Sequence, residues 1–158
     1  MAETTEGYDS TIDTQEHQYA VQAQLLRVVD GLKERARVHD KSKLEPPEKE
    51  VFDRVTPQLA GLTYGSDEYK AALADMGPAL DHHYAHNSHH PEHFSEGITG
   101  MSLLDLIEML CDWKAAGERH DDGGDINRSL SLNRGRFGIS PQLGDILANT
   151  IRELWPDA

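Results

Sequence analysis

Cysteine is nearly missing from this chain: 158 residues contain one, Cys111. A lone cysteine closes no internal disulfide, and its place inside an apolar run reads as a packing thiol rather than a nucleophile. Long apolar runs are missing too. No stretch approaches the ~18 consecutive apolar residues of a membrane span. The start, Met1-Ala2-Glu3-Thr4-Thr5-Glu6, has neither the basic beginning nor the apolar centre of a signal peptide, so the expected location is the cytoplasm. Basic residues are also scarce, with 15 Lys and Arg against 28 Asp and Glu and a net charge of −13. Nucleic acids and anionic lipids are bound through phosphate-neutralising Lys and Arg, so neither a nucleic-acid polymer nor a membrane is an expected partner. A small phosphorylated molecule remains compatible, because a divalent cation and a few local basic groups reverse the potential inside one pocket.

Segments of strand-like alternation are absent as well, and what remains is helical periodicity. Residues 1–10 are polar and aperiodic and read as a disordered tail. From Thr11 onward, His17, Val21, Leu25, Val28 and Leu32 recur at three- and four-residue steps. They mark an amphipathic helix whose buried face begins at His17, with a break expected at Asp30-Gly31. Phe52, Val55 and Leu59 predict a helix bent or ended by Pro57, Ser66 is a good N-cap, and a helix from Pro78 must stop before Pro91. Met101 to Ala116 is apolar around most of its circumference and belongs in the centre of the domain. Asp121 to Asp125 reads as a polar turn before a short helix over 126–133. Ser140-Pro141 opens the last helix, with Leu143, Ile146, Leu147, Ile151 and Leu154 facing inward. The expectation is an all-α chain, a single-domain irregular bundle of six or seven helices over 11–158.

Histidine is what the sequence has in excess. Six of nine, His82, His83, His86, His89, His90 and His93, fall within twelve residues. Upstream stands His39-Asp40, followed by Lys43. Imidazole nitrogen and carboxylate oxygen together suit divalent transition metals. A His-Asp dipeptide alone means little, and the second copy, His120-Asp121, reads as a solvated helix end. Asp112 is different, because it lies inside the most apolar helix, where an unpaired charge is costly. Asp105 and Glu108 share its sector of the helix, either lining a pocket or facing solvent.

The order of one His, then His-Asp, then a distant Asp resembles the HD superfamily of metal-dependent phosphohydrolases. The resemblance implies an HD-like helical fold and the ligands His17, His39, Asp40 and Asp112. Lys43 matches the family's His-Asp-any-any-Lys pattern, a lysine that orients phosphate or a ligand carboxylate. The pair His82-His83 is similar to the paired histidines of the cyclic-dinucleotide phosphodiesterase branch, although that branch's Gly-Tyr-Pro signature is missing. His83 and His90 are accordingly candidates for holding a second ion. A more specific similarity, to an uncharacterised bacterial and phage family, rests on the blocks HDKSKL (39–44), TYGSDEYK (63–70), HHPEHF (89–94) and LIEMLCDWKAA (106–116).

The resulting expectation is hydrolysis of a phosphoester or phosphoanhydride in a nucleotide or related small molecule. It would use one or two divalent ions of Mn, Fe, Co, Ni or Zn. Asp40, Lys43 and Glu108 are the catalytic candidates, with Glu108 either general base or partner of a ligand. Lys41, His82, His86, Arg134 and Arg136 are candidates for holding substrate. An HD-fold di-iron oxygenase and a non-catalytic, metal-stabilised binding module are the alternatives, and homo-oligomerisation stays open.

Overall fold

Serine and proline punctuate the chain where its helices begin. In the computed structural model, which describes residues 7–63, 65–118 and 125–157, seven α-helices and three short 3-10 turns are joined by loops, with no strand among the described residues. The helices are α1 (Thr11–Val38), α2 (Glu48–Leu59), α3 (Asp67–Ala74), α4 (Pro78–His86), α5 (Leu103–Gly117), α6 (Ile126–Arg136) and α7 (Pro141–Leu154). The all-α class and the helix count therefore match the expectation. Ser66 Oγ accepts the Tyr69 N–H at 3.1 Å, and Ser140 Oγ accepts that of Leu143 at 3.3 Å. Each satisfies a donor that the first helical turn leaves without a partner.

The chain divides into two units between Arg37 and Val38, a boundary that the sequence pattern, read as one domain from residue 11, does not mark. The first unit is α1 up to Arg37. It is continuous where a break at Asp30-Gly31 was expected. A glycine inside a helix costs only about 1 kcal/mol relative to alanine, and the pairs Asp30–Lys33 at 3.3 Å and Glu34–Arg37 at 2.6 Å flank it. The helix buries none of its residues. His17, expected to open a buried face, is exposed, as are Val21, Leu25 and Val28. Periodicity reported that α1 is amphipathic, which is a property of the sequence and not of its surroundings.

In the second unit the apolar core is built by α5, α6 and α7. Leu106, Met109, Leu110, Ile126, Leu130, Leu147 and Ile151 are buried together with Ile98 and Ile139, and Trp113, Phe137 and Trp155 pack on them. Burying one such aliphatic side chain contributes roughly 1.5–3 kcal/mol. Some expected core positions face outward: Leu103 is 73% exposed, Ile146 49% and Leu154 51%. Cys111 is exposed too, so the packing role read from its apolar neighbours does not hold. Its thiol is nonetheless pushed up in pKa, by partial burial and then by the charges of Glu108 and Asp112, which disfavours thiolate chemistry. α2 and α4 pack on one another and on the 3-10 turn Lys41–Leu44, forming a second layer that carries His82, His83 and His86 on α4. Gly100 allows the connection into α5 to pass close by, since a Cβ there would stand 2.7 Å from Phe94 Cβ.

Candidate metal centre

The site begins where α1 ends. Asp40 adopts the left-handed conformation, with φ 54°, one that Asp and Asn tolerate better than most residues because their short polar side chains bond locally. The chain then enters the 3-10 turn Lys41–Leu44, closed by Lys43 N–H donating to Asp40 O at 2.9 Å. This reversal places His39 and Asp40 side by side. Asp40 is two-sided. Its Oδ2 holds the Lys43 ammonium at 2.5 Å, while Oδ1 lies 3.3 Å from His83 Nε2 and 3.5 Å from His89 Nε2.

α4 presents His83 to this carboxylate, and the turn after α4 presents His89 and His90. The turn is held to α5 by Ser88 Oγ, which donates to Asp105 Oδ1 at 2.6 Å. Asp105 belongs to a capping box at the start of α5, its Oδ2 accepting both the Ser102 N–H at 2.8 Å and the Ser102 hydroxyl at 2.6 Å. It is 4% exposed, so it does not face solvent. Glu108 and Asp112, one and two turns further along α5, do reach the site.

The ring nitrogens sort into two sets. His39 Nδ1 stands 2.9 Å and His89 Nδ1 3.3 Å from Glu108 Oε1, and His83 Nδ1 stands 2.9 Å from Glu48 Oε2. The Nε2 atoms of His39, His83 and His89 then turn toward Asp40 and Asp112, with His83 Nε2 also 3.0 Å from His90 Nε2 and His39 Nε2 3.6 Å from Asp112 Oδ1. A carboxylate on one ring nitrogen fixes the proton there and leaves the opposite lone pair for a metal.

For His83 the donor count makes the assignment. The Asn87 amide N–H groups go to Ser42 Oγ and His83 O, each at 2.8 Å, and the Ser42 hydroxyl goes to Glu48 Oε2 at 3.0 Å. Asn87 Nδ2 and Ser42 Oγ also approach His83 Nδ1, at 3.1 Å and 3.4 Å, but neither supplies a proton to its 2.9 Å contact with Glu48, whose carboxylate only accepts. That nitrogen carries its own proton, and Nε2 is bare.

Electrostatics agree. Burial, then the charges of His89 and His83, pushes His90 down to about 3. Burial and the Lys43 ammonium lower His83. His39 moves the other way, pushed up to about 10 by hydrogen bonding to Asp112 and Glu108 against the opposing effect of burial. Burial alone would raise Asp112, but hydrogen bonding to His39 and the charges of His89, His90 and His39 hold it below the usual carboxylate range.

Three ligand-type groups result, each with its donor atoms within 4.8 Å of one another: Asp40 with His83, His89 and His90; His39 with His89 and Glu108; and His39 with Asp40 and Asp112. Two buried polar atoms in the middle, Asp40 Oδ1 and His89 Nε2, have no hydrogen-bond partner. Buried polar atoms without partners are uncommon and point to a missing ion or water. Ligands bound to an ion at 2.0–2.2 Å stand roughly 3–3.6 Å apart, close to the spacings here. The donor set fits a divalent transition metal.

A family of unknown function (DUF5662) matches residues 6–153, nearly the whole chain. The chain belongs to this family. Comparison with curated proteins and with solved structures yields no match.

In this DUF5662 chain, five of the six expected ligands, His39, Asp40, His83, His90 and Asp112, lie in the three groups. His17 lies in the other unit and is exposed on α1. Glu108 Oε1 faces two imidazoles, those of His39 and His89, and stands with them in one of the three groups. Lys43 contacts the Asp40 carboxylate and lies over the Phe52 ring at 4.9 Å.

The expected substrate-binding residues scatter. Lys41 and His86 are exposed. His86 stacks on His82 at 4.0 Å, and His82 Nδ1 is 2.7 Å from Glu48 Oε1. Arg134 pairs with Asp145 at 3.4 Å, and Arg136 with Glu92 at 2.7 Å. The second pair, His120-Asp121, lies outside the described residues. So does most of the turn expected over 121–125; only Asp125 is described, and it caps α6 by accepting the Asn127 N–H at 2.7 Å.

Two site residues were missed. His89, 1% exposed, sits in an aperiodic turn, where nothing in the sequence says which way a side chain points. Glu48, 0% exposed, follows two prolines at the start of a helix, where an acidic residue reads as a partner of the helix dipole. No further helix signal distinguishes it.

Proposed function

We propose that this DUF5662 chain is a metal-dependent phosphohydrolase of the HD type, acting on a nucleotide or a related phosphorylated small molecule. The observation that carries the proposal is the convergence of imidazole Nε2 atoms and of Asp40 and Asp112 on one centre, with Glu108 and Glu48 behind the rings. His39, Asp40 and Asp112 would hold one ion, and Asp40, His83, His89 and His90 a second. A divalent ion in such a place lowers the pKa of water from 15.7 toward roughly 7 and polarises a phosphoryl oxygen. Lys43 offsets part of the charge on Asp40, and Glu108 keeps His39 and His89 turned inward. The net charge of −13 favours a small substrate over a polymer.

An oxygen-activating di-iron centre is the second reading, favoured by the number of imidazoles: four of them surround two carboxylates. Metal identity separates the two. The protein should be reconstituted with Mn, Fe, Co, Ni or Zn and offered nucleoside mono-, di- and triphosphates and cyclic dinucleotides, following phosphate and nucleoside release. Turnover with phosphate release supports the hydrolase. Two irons per chain with oxygen consumption and no phosphate release would replace it with the oxygenase, and metal binding with no turnover of either kind would sink both.

A further inference from the structure

Glu48 has more partners than any other acidic side chain in the second layer. It is fully buried and comes from α2, whereas every group with ligand geometry comes from 39–40, the α4 region or α5. Its Oε2 faces His83 Nδ1 at 2.9 Å and the Ser42 hydroxyl at 3.0 Å, and its Oε1 faces His82 Nδ1 at 2.7 Å. A carboxylate only accepts hydrogen bonds, so it serves His82 and His83 together only while both carry their proton on Nδ1. For His83 this places the lone pair on Nε2, 3.3 Å from Asp40 Oδ1.

We infer that Glu48 is the positioning residue of the centre's histidine-rich half: it sets the tautomer of His83 and thereby makes a second ion's site beside Asp40. The inference rests on the two-ion form of the proposed function. In the other half, His39, Asp40 and Asp112, the carboxylate behind the imidazole is Glu108.

Glutamine separates this role from simple space filling. Glu48→Gln keeps shape and volume but turns one acceptor into a donor. It can accept from one imidazole and must donate to the other, so one ring is driven to carry its proton on Nε2. Ser42 pins the acceptor oxygen to neither ring by itself, because its hydroxyl can rotate.

The test uses the full chain, with 15N-histidine NMR on metal-free protein and Mn or Zn stoichiometry by elemental analysis. In the wild type, the His83 proton is expected on Nδ1. In Glu48→Gln, a histidine of the pair His82 and His83 is expected to change tautomer, and bound metal to fall from two ions toward one while the helical circular dichroism spectrum is kept. Ser42→Ala, which leaves the carboxylate in place, should retain both ions.

A wild-type His83 protonated on Nε2 overturns the inference, and that measurement needs no variant to fold. So does a folded Glu48→Gln in which His83 carries its proton on Nε2 while two ions still bind with wild-type affinity. If the wild type takes up no metal at all, the proposed function falls, and the tautomer measured on metal-free protein still decides the role of Glu48.

Discussion

Asp40 Oδ1 lies 3.3 Å from His83 Nε2, while the other oxygen of the same carboxylate lies 3.7 Å from His39 Nε2. One side chain thus joins the two halves of the centre, and its left-handed backbone aims it there. Asparagine adopts that conformation as readily, so Asp40→Asn removes the charge without adding strain. The expected outcome is loss of affinity at both halves, on the order of 100-fold or more by comparison with the 10–100-fold effects of residues behind a ligand. Isothermal titration with Zn or Mn checks it; unaltered affinity in a folded variant would remove Asp40 from the centre.

A metal that binds the folded chain alone stabilises it by mass action, by about 2.7 kcal/mol at a free concentration 100-fold above Kd. The melting temperature of metal-loaded protein should therefore fall on adding EDTA and return on adding excess Mn or Zn. Identical melting curves before and after chelation, on protein whose metal content has been measured, would argue against any tight site.

How far the centre could be read from the sequence depended on how each residue signals. Asp112 was legible because a carboxylate inside an apolar helix calls for a partner, and His39-Asp40 because the linear order of ligands is itself a pattern. Helical spacing left Asp105 between lining a pocket and facing solvent: it shares a sector with Glu108 and Asp112, but the pair Ser102 and Asp105 is also a capping-box signal three residues apart, and the structure forms that box. His89 and Glu48 carried no such signal, since a turn has no period and an acidic first-turn residue has an ordinary use. The helices were legible from their caps and periods. Burial was less so, as exposed α1 and outward-facing Ile146 show, because an apolar stripe says that a face wants covering without saying what covers it.

Metal uptake should release protons. In the metal-free protein His39 holds its proton up to about pH 10, through Asp112 and Glu108, and a coordinating imidazole must give up the proton on Nε2. Raising the pH removes that competitor, so apparent affinity should climb by up to about tenfold per pH unit between roughly 7 and 9 and level off above the His39 value. His90, neutral down to about 3, adds nothing in this range. Adding Zn to weakly buffered protein at pH 8 with an indicator dye should show about one proton released for the ion that engages His39. Zero release would take His39 out of the ligand set.

Asp112 and Asp105 sit two turns apart on α5 and make opposite predictions when each is changed to Asn. Asp112 is part of the His39–Asp40 group, and an amide oxygen is a poor substitute for a carboxylate on a hard or borderline cation. Asp112→Asn should therefore weaken the metal at that half and abolish phosphate release, and it should also let the His39 pKa fall, since Asp112 is the first of the groups holding it up. Asp105 is in none of the three groups. Its work is to accept Ser102 and Ser88, and an Asn oriented with its oxygen toward Ser102 can still donate its amide to the Ser88 hydroxyl. Asp105→Asn should keep full metal content and lose stability on the order of 1 kcal/mol, the usual worth of a helix cap. It acts on the turn that carries His89 and His90 only through that hydrogen bond, so any fall in turnover should be much smaller than for Asp112→Asn. Elemental analysis of both variants beside urea unfolding distinguishes the two roles. Full metal in Asp112→Asn together with loss in Asp105→Asn would mean that the ligand register on α5 is wrong by two turns, and metal retained in both would dissociate α5 from the centre and the HD reading with it.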